Sequence, residues 1–538
     1  MQVNQDGRLT FAKTIRNHFT TSLSSLRATV DLREELLNYT RDFYQKSAEL
    51  ADADEVKTMV FSCPHNHTRL AEFASVLEKH DIKCYWTKEK QTVGEVELIP
   101  GESLIVPTQQ PEYRFLKSLL MREKNFEENV FYDVSTWTLS LAYDLNQQAL
   151  AEVVPVDGLK PSKEKKAYPR FRAGKRTIAY LIDYRDDRGA WLLAQLLRAG
   201  INVRVATKPF EIADGSFDSG TLLVPVGIQR NKLTQLNSLL NRAAKQGAKI
   251  TQLRNGLADS GIDIGSPNFV RIKKPKIVMP TGQGISAYSS GQVWHLLDMK
   301  YQMPVTMVDQ ARVTATDLKD YNLMVLAEGR YKFKKAGWEK LNDWVAKGNT
   351  IVAFGESVNY VRKQFEPESE SSETPSASAT DSADENKGAQ TAVSENGEPE
   401  SKKEPKPKQL PFDRRSREKA LQLISGAIFN TQIDRSHPLM FGFTKDRLPV
   451  FRDHETMLKA SDDPYCNPAI YDGEELHMAG YCSDENLEKF ADSASVVVLP
   501  VGRGRVVLMA ENPNFRAFWH GTSRMFLNSV FFRDIVNP

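Results

Sequence analysis

Cys63-Pro64-His65-Asn66-His67 places one thiol and two imidazoles within five residues, types and spacing that could clasp a soft or borderline metal. A closed zinc site takes four ligands, so Cys63, His65 and His67 would need one more residue folded over them. The competing reading is structural, because the run sits where a strand over Lys57 to Ser62 ends and a helix starts near Thr68. A second run, Asp183-Tyr184-Arg185-Asp186-Asp187-Arg188, stands at a strand end, the place where α/β sheets bind small molecules. Its mixed charges, Asp183 and Arg185 foremost, suit a ligand contact, a solvated turn or a domain contact. A third segment, Asn512 to Thr522, gathers Phe515, Arg516, Phe518, Trp519 and His520. Arg516 and Trp519 are its ligand-patch candidates; alternatively the rings plug a core while the arginine ties loop carbonyls.

The elements that must position these residues fall into blocks. Phe11, Ile15, Phe19, Leu23, Leu26 and Val30 recur at helical spacing and make an apolar stripe that calls for a partner surface. Residues Leu77 to Pro107 and Leu196 to Pro225, about 119 residues apart, share one plan of helix end, strand, polar excursion, glycine turn and a strand closing in Val-Pro. Each is preceded by a strand and an amphipathic helix and followed by another helix, which predicts two copies of one α/β module over 56–160 and 175–270, with a cleft between them as a possible ligand site. From Lys276 onward, strands at Ile277 to Pro280, Pro304 to Val308, Tyr321 to Leu326 and Thr350 to Phe354 alternate with helices around Gly291 to Met299 and Ala336 to Ala346. That alternation reads as a doubly wound parallel sheet, the start of a flavodoxin-like domain over 273–365 and 412–538. Its Gly282-Gln283-Gly284 turn lacks a Walker lysine and reads as a strand-to-helix easing. Val496 to Pro500 and Arg505 to Ala510 predict a hairpin, and Ser523 to Phe532 an apolar closing helix. Residues 366–411, acidic and then rich in lysine and proline, carry almost no large apolar side chain and read as a disordered insertion.

The 538 residues hold 71 Lys plus Arg against 69 Asp plus Glu, a balance that argues against a nucleic-acid partner. With 41% hydrophobic residues, sizeable cores are available. No apolar run approaches the roughly 18 residues that span a membrane, so no membrane partner is expected. Four cysteines are too few for a disulfide scaffold, although Cys466 and Cys482 could pair in an exported protein.

Asn512-Pro513-Asn514-Phe515-Arg516-Ala517-Phe518-Trp519-His520-Gly521-Thr522, with Ser425 to Phe429, His437 to Leu439 and Leu448 to Arg452, closely resembles the C-terminal part of large bacterial zinc carboxypeptidases of the carboxypeptidase A-like metallopeptidase family. Met1 to Leu26 resembles the closing helix of that family's catalytic domain, so residues 1–55 are expected to be its trailing helices. By this resemblance the chain follows the catalytic domain, and the relatives are mostly exported. The family binds zinc through H-x-x-E and a distant histidine, leaving a position open for water. None of the nine histidines here has Glu three residues later, so zinc is expected of intact relatives and not of this chain. The implied function is that of an accessory, non-catalytic region. Its implied partner is a separate carboxypeptidase catalytic domain, with self-association through residues 9–30 as the alternative.

The order of elements after Lys276 also resembles the class I glutamine amidotransferase-like fold. There the nucleophile follows a strand on a tight turn. The equivalent turn, Phe354-Gly355-Glu356-Ser357-Val358-Asn359, puts Ser357 where that fold's cysteine falls. The expectation is a structural version of the fold. The alternatives are a Ser357-dependent hydrolase, with His520 as base and Glu511 behind it, and an independent module that binds peptides or cell-wall fragments.

Overall fold

The computed structural model describes residues 2–4, 7–127, 133–157, 159–163, 168, 171–174, 176–212, 215–366, 411–415, 417, 422–490 and 493–536. The proposed insertion over 366–411 therefore lies, apart from its two end residues, outside the described residues. The chain is a mixed α/β protein.

Two long helices come first, α1 (Phe11–Asp31) and α2 (Arg33–Ala53), with Thr10 capping α1 through its side chain. The stripe on α1 is not covered: Phe11, Phe19, Leu26 and Val30 are 64 to 82% exposed, and no residue of α1 is buried. The second helix is tethered near its end, where Ser47 Oγ donates to Pro111 O at 3.0 Å and Ala51 is buried.

The first sheet contains β1 (Thr58–Ser62), β2 (Tyr85–Trp86), β3 (Ser103–Pro107), β4 (Asn146–Leu150) and β5 (Lys160–Pro161), in the order β4-β1-β3-β2-β5. The second contains β6 (Ala179–Ile182), β7 (Arg204–Ala206), β8 (Leu222–Pro225), β9 (Ile250–Leu253) and β10 (Phe269–Arg271), in the order β9-β6-β8-β7-β10. Every pair in both is antiparallel. Each first strand leads into a helix, α3 (His67–Lys79) or α5 (Asp187–Arg198), and a later helix, α4 (Tyr113–Leu120) or α6 (Leu233–Ala244), follows the third strand. The apolar faces of α3 (Leu70, Phe73, Leu77) and α5 (Leu192, Leu193, Leu196) are fully buried, as their helical spacing requires.

The third sheet has ten strands, of which nine follow the order β12-β11-β13-β14-β20-β19-β17-β15-β16. Its parallel half is β11 (Ile277–Thr281), β12 (Val305–Asp309), β13 (Leu323–Leu326), β14 (Thr350–Phe354) and β20 (Gly504–Met509). Runs such as Leu323 to Leu326 and Thr350 to Phe354 are buried throughout, the pattern of parallel strands covered on both faces. The parallel strands expected over Ile277 to Phe354 are present, and beyond them the sheet continues antiparallel. β15 (Ala427–Ile433), β16 (Arg447–Arg452), β17 (Ala469–Tyr471), β18 (His477–Ala479, paired with β15) and β19 (Ala494–Val501) extend the sheet antiparallel, because the hairpin β19–β20 reverses its direction.

Helix α7 (Ala287–Trp294) runs on into a π-helical turn (His295–Lys300), α8 (Lys335–Ala346) and α9 (Ser357–Phe365) flank the parallel half, and α10 (His520–Phe531) closes the chain. Ten of the twelve residues of α10 are buried. Asn528 on α10 accepts from Tyr184 Oη at 2.9 Å and donates to the carbonyls of Leu439 and Phe441. Arg524 on the same helix bonds Asp187 and the Tyr184 carbonyl. Asp187 also takes Arg69 of α3, and Arg69 reaches Asp144, so one buried charge network joins all three sheets' domains. Thr68 and Asn66 bond Asp186 and Asp187 across the same contact.

Candidate functional site

The loops that leave the parallel strands at their C-terminal ends converge on one cleft, as the geometry of such sheets favours. After β11 comes Gly282 to Ser286, after β13 Glu328 and Gly329, after β14 Gly355 and Glu356, and after β20 Asn512, which bonds Glu328. Asp453 and His454, just beyond β16, close the cleft from the antiparallel half. A cavity of about 560 Å³ lined by Ser286, Glu328, Arg330, Glu356, Asp453 and His454 is the result. A neighbouring cavity of about 700 Å³ shares Glu356, Asp453 and His454 and reaches Asp133 and Arg516.

Glu328 is held by donors on one oxygen: the Ser289 hydroxyl, and Asn512 Nδ2 at 3.3 Å. Asn512 also bonds Ser289 Oγ at 3.0 Å and Gln292 Oε1 at 2.9 Å. The backbone is shaped around this carboxylate. Gly355 lies at φ +62°, and a Cβ there would stand 2.4 Å from Glu328 Cγ. Burial, with the negative charges of Asp453 and Glu356 adding to it, pushes the Glu328 carboxyl up to about 7. Asp453 reaches solvent, yet the surrounding protein still raises its carboxyl, with Glu356 contributing. His454 is pushed down to about 3 by burial and by Arg452, so its ring is neutral.

Ligand atoms of Glu328, Asp453 and His454 all lie within 4.8 Å of one another, which makes them the candidate cation ligands of the cleft among the described residues. Neutral imidazole is the ligating form. However, His454 Nδ1 accepts from Thr456 N at 3.3 Å, which puts the ring proton on Nε2, an atom with no hydrogen-bond partner. A metal on Nε2 would need that proton on Nδ1, facing an acceptor. As it stands, the arrangement suits a donor from His454, beside a Glu328 that holds its proton more tightly than an ordinary carboxyl, better than a ready imidazole ligand.

The residues singled out from sequence are dispersed. Ser357 is fully buried; its hydroxyl bonds the carbonyls of Leu326 and Phe354 and accepts from Phe354 N. The position of the turn with positive φ is Gly355. Glu511 is buried against Tyr471 and Ser495, and His520 faces Lys300 and Glu72. No hydrogen bond links Ser357, His520 and Glu511, so the structure does not bring that triad together. Arg516 pairs with Asp133 at 2.6 Å and stacks 5.0 Å over Trp137, at the edge of the larger cavity. Trp519 is core, 5.1 Å from the Phe451 ring. Asp183 and Arg185 pair with each other at 2.9 Å, and Arg185 reaches Asp218. Cys63 is buried, its thiol raised to about 12, whereas His67 faces Glu102 at 3.7 Å. His65 sits at φ +67° in the turn between β1 and α3. These three are not among the described groups whose ligand atoms converge. Cys466 and Cys482 are free thiols.

Sequence reasoning missed Glu328, Asp453 and His454. For Glu328 a signal exists, since it follows the apolar run Leu323 to Ala327 and so marks a strand's C-terminal end. Asp453 and His454 follow an antiparallel strand and carry no such signal.

No protein-family model matches the chain, and no curated protein matches it. Among solved structures, the chain is similar to a putative ThuA-like protein from Bacteroides uniformis, at 11% identity over 49% of this chain and 91% of that one, with a TM-score of 0.27. A putative ThuA-like protein from Parabacteroides merdae matches at 10% identity over 48% and 92%, TM-score 0.25. The β-galactosidase from Rahnella sp. R3 matches at 12% identity over 56% and 34%, TM-score 0.23.

Proposed function

We propose that this chain is the accessory, non-catalytic region of a zinc carboxypeptidase-like protein, built from a duplicated antiparallel module and an amidotransferase-like domain without its nucleophile. The observation that carries the reading is the uncovered apolar stripe of α1, from Phe11 at 82% exposure to Val30 at 74%. An exposed stripe of this extent fits a further folded surface, and the occupant implied by the sequence resemblance is a carboxypeptidase catalytic domain. The shared strand order of the first two sheets supports the duplication. The buried Ser357 and the glycine at the strained position of its turn support loss of the nucleophile. Intact relatives of this kind would hydrolyse peptide C-termini, and zinc would belong to their catalytic domain.

A second reading, a module that binds small polar ligands such as peptide or cell-wall fragments, is favoured by the cleft around Glu328, Asp453 and His454. The experiment for the first reading uses the purified chain. Elemental analysis and a C-terminal amino-acid release assay should find no stoichiometric zinc and no peptidase activity. Light scattering should show concentration-dependent association that a Phe11→Ser, Phe19→Ser double variant reduces. A clean monomer, or release of C-terminal residues by the chain alone, would overturn it.

A further inference from the structure

A smaller cavity, of about 240 Å³, lies between α3 and the segment that enters α10, separated from the cleft around Glu328 by the Asn512 side chain, which bonds Gln292 on one side and Glu328 on the other. It has room for about eight waters at roughly 30 Å³ each, the size of a small metabolite. Asn514 lines it at 1% exposure, and neither its Oδ1 nor its Nδ2 has a hydrogen-bond partner. Buried side-chain amides are normally paired, so a donor and an acceptor left together beside a cavity point to a ligand that supplies both partners. The amide is held in place by its backbone, since Asn514 N donates to Asn512 Oδ1 at 3.0 Å and Thr522 Oγ1 ties the preceding carbonyl at 2.7 Å. Two and three residues on, Arg516 and Ala517 are held at φ +47° and +57°, a conformation that non-glycine residues adopt at a cost and that clusters at functional sites.

The charges around the cavity are complementary. Lys300, at the end of the π-helical turn, donates to Glu72 Oε2 at 2.9 Å and to His520 Nδ1 at 3.3 Å. Burial pushes His520 down to about 3, and the neutral ring, accepting at Nδ1, presents an N–H at Nε2. Lys79 also lines the cavity, and the Tyr143 ring packs 4.5 Å from His520.

We infer that this cavity binds a small zwitterion of the α-amino-acid class, with Lys300 taking the carboxylate, Glu72 the ammonium, and Asn514 one contact to each. A simple anion would face Glu72, and a simple cation would face Lys300; only a ligand with both charges replaces the contact those two residues make with each other. Lys79 offers a partner to a second carboxylate. The inference does not depend on the accessory role proposed above, because every residue it uses belongs to this chain.

The test is calorimetric titration of the full chain with a panel of L-α-amino acids, each beside its decarboxylated amine and its deaminated acid. At least one amino acid should bind at micromolar to millimolar concentration, with both analogues at least about tenfold weaker, the discrimination expected when a charged partner is left unpaired. Asn514→Ala should abolish binding. Because that residue is buried, Lys300→Gln and Glu72→Gln, both partly exposed, provide variants that keep the core, and each should weaken binding about tenfold. No binding by any amino acid, analogues that bind as tightly as the amino acid, or binding that survives both variants would each overturn the inference.

Discussion

Replacing Glu328 by glutamine should stabilise the protein, and by an amount that depends on pH. The folded carboxyl sits at about 7 against an ordinary value of 4.5. Between these values the native state holds a proton that the unfolded state has released, so stability falls as pH rises through this window and the loss is complete above about 7. At 1.36 kcal/mol per pKa unit, the difference corresponds to about 3 kcal/mol. Glutamine mimics the protonated acid: its oxygen still accepts from Ser289 and Asn512. The variant should therefore match the wild type near pH 4.5 and exceed it by about 2–3 kcal/mol at pH 8. For a domain of roughly 200 residues that is about 5–10 °C in melting temperature. Thermal unfolding of both proteins across pH 4.5 to 8 is the assay. A constant difference over that range, or a less stable variant at pH 8, would show that the like charges of Asp453 and Glu356 and the burial of Glu328 do not act as described.

Three further outcomes follow from the packing. Gly355→Ala should cost about 2–3 kcal/mol in urea unfolding, since it combines a left-handed backbone with a Cβ driven against Glu328. Ser357→Ala should lower stability by about 1 kcal/mol through its lost bonds to Leu326 and Phe354, while a fluorophosphonate probe should label neither protein; labelling that vanishes in the variant would restore the hydrolase reading. Asp187→Ala should destabilise by about 3–5 kcal/mol, because it strands Arg524 as a buried cation and leaves Arg69 with Asp144 alone, and limited proteolysis should then separate the first two sheets' domains from α10.

Much of the architecture was legible in local pattern. The alternation around Ile277 to Phe354 produced strands and helices within a few residues of their expected bounds, because continuous apolar runs of four or five residues between helical segments leave few other ways to bury themselves. The stripe on α1 was equally readable. The hairpin of Val496 to Pro500 with Arg505 to Ala510 was legible too, through its short glycine turn; the pairing of Ala427 to Ile433, Arg447 to Arg452 and Ala469 to Tyr471 beyond it was not, because a strand's own sequence carries little information on which partner lies alongside.

The candidate site divides in the same way. Sequence could nominate Asn512 to Thr522 as chemically rich, since amide, arginine, aromatic and imidazole groups stand together there. Only the fold decided that Trp519 is core, that Arg516 is paired with Asp133, and that Asn514 lines a cavity with both polar atoms buried and unpaired. Glu328 and Asp453 are 125 positions apart and gain meaning only when two halves of one sheet bring their loops together. Composition and periodicity mark which segments are apolar enough to be buried, and the fold decides which of them are, as the exposed stripe of α1 shows. Their pKa shifts and unpaired atoms arise from what is packed against them, and that is a property of the tertiary structure alone.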